Sequence, residues 1–463
     1  VNKSLLTLFL ALWFSSSFFV NAAFAQDTSA SPIDTGDTAF MLIAAALVLF
    51  MTPGLAFFYG GLVKSRNVLN TMMMSLVLMA VVGVTWVLWG YSLAFEVGEL
   101  GKDGFAQGIE RLIGGIDWFF LSNVSAAEPD PIGYAATVPH QIFMIYQMMF
   151  AIITPALISG AIVERVSFKT YFWFVLLWST FIYSPLAHWV WGRGWIGASG
   201  ALDFAGGTVV HISSGVSAVV AAWILGPRKG YPTQPHIPHN VPYVLLGIGM
   251  LWFGWFGFNA GSALAAGSLA TVAFVATAVA PCAGGLTWLV VEWILRGKPT
   301  AVGISSGFLA GLVGVTPAAG FVTPIGAILM GSITSLSCFF AVSLRAKLQF
   351  DDSLDTYPIH GVGGTIGAVL TGVFATKAAN ADIPGGLIDG NFGLLWPQIQ
   401  GVIATYVFAA VGTFGILKVL GLFVELRVKP IIEDQGLDVS EHGEEAYGED
   451  FAGGIPVSEE MAS

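Results

Sequence analysis

The chain has 463 residues, of which 55% are hydrophobic and only 10% charged, with a formal net charge of −11. Soluble domains carry about 25% charged residues, so this composition excludes an ordinary soluble domain. Apolar runs of roughly 20 residues recur along the chain, the length a helix needs to cross a bilayer; a membrane barrel would show short alternating strands instead. The expected fold is an all-α polytopic membrane protein.

Residues 1–25 read as a signal peptide: Lys3, an apolar stretch over 5–20, and the small-x-small site Ala23-Phe24-Ala25. The alternative is an uncleaved first helix. The polar stretch QDTSASPIDTGD (26–37) follows at once and favours cleavage, which leaves the mature N-terminus outside. Eleven transmembrane helices then follow, at about 38–62, 68–95, 138–162, 170–187, 203–226, 241–262, 268–295, 301–319, 321–344, 356–376 and 393–424. Charge tests this count. With the N-terminus outside, the cytoplasmic connections hold 12 Lys or Arg (among them Lys64, Arg66, Arg345 and Lys347) and the outer ones 4 (Lys102, Arg111, Arg193, Lys377). The positive-inside rule supports that alternation and a cytoplasmic C-terminus. One membrane domain, 26–428, is the economical division.

The outer loop 96–137 carries IERLIGGIDWFF, a candidate short interfacial helix. The tail, 429–463, holds ten Asp or Glu and no Lys or Arg after Lys429. It is either a solvated acidic segment or a regulatory segment docking on the basic cytoplasmic loops. Cys282 and Cys338 lie in apolar runs and read as packing residues, with neither a disulfide framework nor a metal centre in prospect. No cofactor is expected.

Two histidines lie in apolar, Gly-rich spans, the fifth and the tenth: His211 in DFAGGTVVHISSG and His360 in DTYPIHGVGGTIG. Membrane transporters often contain inverted repeats of five helices, in which those two spans correspond. A lone histidine on an apolar face is ordinarily a satisfied core residue. Two in Gly-lined spans shift the balance toward function, because an ionisable group in the bilayer is costly and histidine exchanges protons near neutral pH. Asp203 is expected to cap its helix, with His211 about 12 Å deeper. His360 follows Asp355 by five positions. If the spans cross, the imidazoles share a proton, receive a neutral amine or relay a proton; metal binding is weaker, for want of a third ligand. Near the outer ends lie Tyr146, Phe150, Trp191, Trp255 and Phe258. Singly these are packing or interfacial residues; together they form a candidate cage for a small cation, with Ser262 as an acceptor.

The motifs DFAGGTVVHISSG, WFGFNAGSA, SGAIVERVSF, GLVGVTPAAGFV and GLDVSEHGEEAYG resemble those of the ammonium transporter family (Amt/Mep/Rh), over roughly residues 38–448. The resemblance implies a homotrimer with one pore inside each protomer, five helices in inverted repeat with five others plus one more, in a bacterial cytoplasmic (inner) membrane. It implies an outer recruitment site of Trp191, Phe150, Ser262 and Tyr146, where Tyr stands in place of a Phe found in some bacterial members. It further implies a Phe150–Phe258 gate, Trp255 as pore wall, twin histidines His211 and His360, and Asp203 as the acid that shapes the site. Trp191 and Ser262 favour the Amt branch over the Rh branch. Ammonium, with methylammonium as analogue, is the implied substrate, and a PII-type signalling protein the implied cytoplasmic partner, in keeping with nitrogen assimilation. Capture of ammonium, deprotonation and passage of ammonia, with separate proton transfer, is the expected mechanism. The runners-up are a passive Rh-type gas channel and a sensor. An enzyme is the weakest reading, since no nucleophile–base set, Walker motif or metal cluster is present, and nothing points to nucleic acid.

Overall fold

The computed structural model describes residues 32–98, 108–234 and 236–447. The expected signal peptide lies outside them. Among the described residues the regular structure is helical, and one isolated bridge joins Val166 to Arg427. The long runs are α1 (Thr35–Leu62), α2 (Ser65–Phe95), α3 (His140–Ile162), α4 (168–190), α5 (Gly207–Leu225), α6 (Val241–Ala263), α7 (Ser268–Arg296), α8 (Ala301–Ala318), α9 (Pro324–Lys347), α10 (357–374) and α11 (Phe392–Leu420). All but α4 and α10 are long and apolar enough to cross a bilayer on length and hydropathy alone.

Short polar side chains start several of these helices by accepting a first-turn N–H, which would otherwise be orphaned. Asp34 accepts from Asp37 at 2.9 Å, Thr300 from Gly303 at 2.9 Å and Ser167 from Thr170 at 3.2 Å. The centre of the molecule is α3, almost wholly buried, with α1 packed along α6 and α7 against α8 and α9. Large apolar side chains such as Phe253, Leu286, Trp293 and Val411 point outward, as expected where lipid is the solvent. The outer loop departs from expectation. In its described part the candidate interfacial helix is only two short 3₁₀ turns, Gly108–Arg111 and Phe119–Leu121. The fifth span also starts later than expected, at Gly207, because Asp203 stands ahead of the helix.

The end of the helix bundle that carries the tail is tied by buried charge. Arg228 donates to both oxygens of Asp351, at 2.8 and 3.0 Å, and to Glu164 at 2.8 Å. Burial alone would raise both acids; the Arg228 guanidinium overrides it and holds both carboxyls below their ordinary range. Their depressed values stabilise the fold above the unfolded carboxylate range, near pH 4, and that stability is lost as pH falls through the folded values. Arg228→Met is therefore expected to cost about 3–5 kcal/mol near neutral pH, because two buried carboxylates lose their partner. Thermal unfolding in detergent should show the deficit narrowing from pH 8 toward pH 5, as the orphaned acids take up protons. A deficit independent of pH would rule out this electrostatic account.

The described part of the tail, 430–447, is docked rather than solvated. Glu433 accepts from Arg427 at 2.5 Å and from the Lys229 backbone at 3.0 Å. Asp438 accepts the Asn70 N–H at 2.8 Å, at the start of α2. Glu441 accepts the Phe168 N–H at 2.8 Å, at the start of α4. Two tail carboxylates thus close the N-terminal ends of two long helices, where the helix dipole favours negative charge.

Candidate functional site

Asp203 gathers the start of α5. One carboxylate oxygen accepts the N–H groups of Gly206 at 2.9 Å and Gly207 at 2.6 Å; the other accepts those of Thr208 at 2.9 Å and Val209 at 3.3 Å, and also the Thr208 hydroxyl. The first helical turn, Gly207–Ile212, is a wide π-turn, and His211 lies within it. Such turns are uncommon and concentrate at functional sites. Because 203–206 are not helical, the 12 Å expectation for the depth of His211 does not hold.

The second histidine is arranged in the same way, by an aspartate that the sequence reading did not single out. Asp352, not Asp355, caps α10, accepting the N–H of Thr356 at 3.0 Å and of Tyr357 at 2.7 Å. His360 lies in the π-turn Tyr357–Val362. Asp355 instead pairs with Arg345 at 2.7 Å. The interval from Asp352 to His360 equals that from Asp203 to His211, so the chain carries two aspartate–histidine units of the same spacing. This repeated spacing was present in the sequence as a findable signal, hidden by the nearer aspartate.

The two half-helices approach at glycine. A Cβ on Gly215 would collide with the main chain of Gly361, and one on Gly364 would lie 2.9 Å from the Gly207 carbonyl oxygen. That contact brings the imidazoles together, with Nδ1 to Nδ1 at 3.3 Å and planes inclined by 24°. One nitrogen must carry the proton and the other accept it. The outer nitrogen of His211, Nε2, is buried and has no hydrogen-bond partner.

A chain of ring contacts runs outward from this pair. His211 stacks on Trp255 at 5.5 Å, and Trp255 is fixed by an indole N–H bond to the Thr316 hydroxyl at 2.9 Å. Phe258 lies 6.2 Å from His211, and Phe150 lies 4.3 Å from Phe258. Phe150 meets the edge of Trp191 at 5.8 Å, and the Trp191 indole donates to the Asp203 carbonyl at 2.8 Å. Beyond Phe150 opens a cavity of about 270 Å³, lined by Trp191, Phe150, Ser262, Gln147, Phe95 and Tyr134 among others. On the other side, His360 borders an inner cavity of about 350 Å³ that also holds Tyr59, Ser306, Arg345 and Asp355. The two cavities are separated by aromatic rings and imidazoles.

Tyr146 is the expected site residue that does not reach the outer cavity. It is fully buried, and its ring packs behind Phe150 at 5.1 Å. Its hydroxyl lies 3.0 and 2.9 Å from the carbonyls of Gly257 and Phe258 and 3.2 Å from the Ser262 oxygen. The phenol therefore anchors the end of α6, which carries Phe258 and Ser262, while the neighbouring Gln147 lines the cavity. The sequence reading passed over Gln147, since a single amide in an apolar helix carries no distinguishing signal. Tyr146→Phe is expected to lower stability by about 1 kcal/mol and to leave the substrate's half-saturation concentration within about twofold. A loss of binding beyond about tenfold would return Tyr146 to the cage itself.

Comparison with known proteins matches residues 39–447 to the model of the Ammonium Transporter Family. An ammonium transporter of Bacillus subtilis (strain 168) is 50% identical over 413 residues, 89% of this chain and 98% of its own length. The crystal structure of Saccharomyces cerevisiae Mep2 superposes with a TM-score of 0.79 at 37% identity, covering 86% of this chain and 88% of Mep2. A structure described as a Sensor Amt Protein superposes at 0.78 with 30% identity, covering 88% of this chain and 98% of that one.

Proposed function

The chain belongs to the ammonium transporter family, and from that premise we propose that it captures ammonium outside, deprotonates it and conducts ammonia past His211 and His360. The observation that carries this reading is the composition of the barrier. Between the two cavities the contacts pass through Phe150, Phe258, Trp255, His211 and His360, with no carboxylate among them. An ion would shed its water there for almost nothing in return, a cost of several kcal/mol. Ammonia is neutral, and it can both donate to and accept from an imidazole pair. Potassium resembles ammonium in size and charge but has no proton to lose, so the barrier rejects it.

Capture falls to the outer cavity. The faces of Trp191 and Phe150 offer cation–π attraction, worth about 2 kcal/mol once water is excluded. Ser262 donates its proton to the Phe258 carbonyl at 2.9 Å, which leaves its own lone pairs for a cation. Asp203 supports the site from below through the α5 start and the Trp191 indole. A proton released at the gate and moved separately makes net transport electrogenic. The assembly read here is a homotrimer in a bacterial inner membrane, N-terminus outside and C-terminus in the cytoplasm. Methylammonium serves as analogue, and a PII-type signalling protein meets the cytoplasmic face.

The test is current from purified protein on a solid-supported membrane after an ammonium jump, with potassium as control. An ammonium-specific current is the expected result. No current, with rapid ammonia-driven pH change in liposomes, would replace this reading by a passive gas channel. Neither signal would leave the sensor reading, which the docked tail and the Sensor Amt likeness favour.

A further inference from the structure

At the outer end of α4 lies a histidine that the transport scheme does not use. His188 is fully buried. Its Nδ1 is 3.0 Å from the carbonyl oxygen of Ala94, near the end of α2, and its Nε2 is 2.5 Å from the carbonyl oxygen of Glu110, on the outer loop. Carbonyl oxygens only accept. A neutral imidazole carries a single N–H, so one of its nitrogens would turn a lone pair toward a carbonyl lone pair inside the protein. Two carbonyl partners require two donors, and two donors make the ring an imidazolium.

We propose that His188 is a permanently protonated positioning residue, a doubly donating imidazolium that holds the outer loop and the end of α2 against the turn that presents Trp191. The proposal rests on the transport reading above for its functional half only. The turn is built on His188. Gly194 donates to the His188 carbonyl at 2.9 Å, Trp191 donates to Ala187 at 2.8 Å, and a Cβ on Gly192 would lie 2.8 Å from His188 Nδ1. From the other side, the Trp189 indole donates to the Leu112 carbonyl at 2.7 Å. Loop and turn thus grip each other on both sides of the imidazole. Such charge-assisted bonds are about twice as strong as neutral ones.

The charged groups on the elements packed around the ring are Glu96, at the end of α2, Glu110, on the loop, and Arg193, on the turn itself. Glu96 is buried, and a buried oxygen of the Glu110 carboxylate has no hydrogen-bond partner. His188 touches no substrate; it acts through Trp191.

The experiment is nitrogen NMR of the ¹⁵N-histidine-labelled, detergent-solubilised protein above about pH 8, where an ordinary histidine is neutral. Of the seven histidines, His188 is expected to show two protonated ring nitrogens, identified by contact with ¹³C-carbonyl-labelled alanine at Ala94. If both ring nitrogens of no histidine are protonated there, the charge assignment fails, and this holds whether or not any variant folds. Transport by His188→Gln, normalised to folded protein, tests the positioning role. The half-saturation concentration for methylammonium is expected to rise roughly tenfold with the maximal rate nearly kept, the consequence of losing one charge-assisted bond. A folded variant with an unchanged half-saturation concentration overturns that role. Absence of ammonium transport by the unaltered chain would sink the transport reading but leave the NMR result standing.

Discussion

Asp203→Ala is expected to reduce ammonium-evoked current to below about a hundredth of the unaltered protein's. Five donors lose their acceptor together: four backbone N–H groups at the start of α5 and the Thr208 hydroxyl. Each buried polar group left unpaired costs about 1–3 kcal/mol, so even two of them shift the equilibrium of the helix start by roughly thirtyfold. The π-turn that aims His211 begins in that segment, and the Trp191 indole is anchored to the same residue's carbonyl. One substitution therefore disturbs both the outer site and the nearer histidine. Asp203→Asn separates capping from charge. Its amide keeps one acceptor oxygen, so the variant should fold with a smaller loss of melting temperature while current stays low. Full current in Asp203→Asn would mean that the negative charge plays no part.

The second large effect concerns selectivity. With both His211 and His360 replaced by Ala, the ammonium response should fall by about 10–100-fold, the range expected when two hydrogen bonds between neutral groups, each worth about 1 kcal/mol, are lost. A potassium-evoked current should emerge in the same preparation. The removed rings extend the inner cavity toward Phe258, and water that enters there hydrates an ion the intact barrier rejects. The measurement is the ratio of ammonium to potassium currents on one sensor. Unchanged ammonium-selective flux would refute the role given to the pair.

Much of this architecture was legible in the sequence, because lipid imposes a simple rule on the length and hydropathy of a spanning helix. The boundaries at Leu62, Phe95 and Ile162 agree with the expected ones for that reason. The start of α5 did not, because hydropathy does not distinguish an aspartate inside the first turn from one standing ahead of it. The Asp352 cap was missed on the same ground: Asp355 was nearer to His360, and only hydrogen bonds reveal which carboxylate holds the helix. Burial sorted the cage residues in a way composition could not. Tyr146 and Gln147 are adjacent, yet the aromatic one is turned into the protein and the amide into the cavity. The docking of the tail was undecided from charge alone, since an acidic segment is equally at home in water until it finds unpaired N–H groups.

The tail's choice of contacts joins it to the helices that wall the outer cavity. Asp438 and Glu441 close the N-terminal ends of α2 and α4, and the outer parts of those same two helices carry Phe95 and lead into Trp191, both walls of the outer cavity. A helix held at one end and walling a cavity at the other is a physical connection between the two. Thermodynamic reciprocity then fixes the terms: whatever free energy an occupant of the outer cavity adds to the hold of the tail, removal of the tail subtracts from the hold on that occupant.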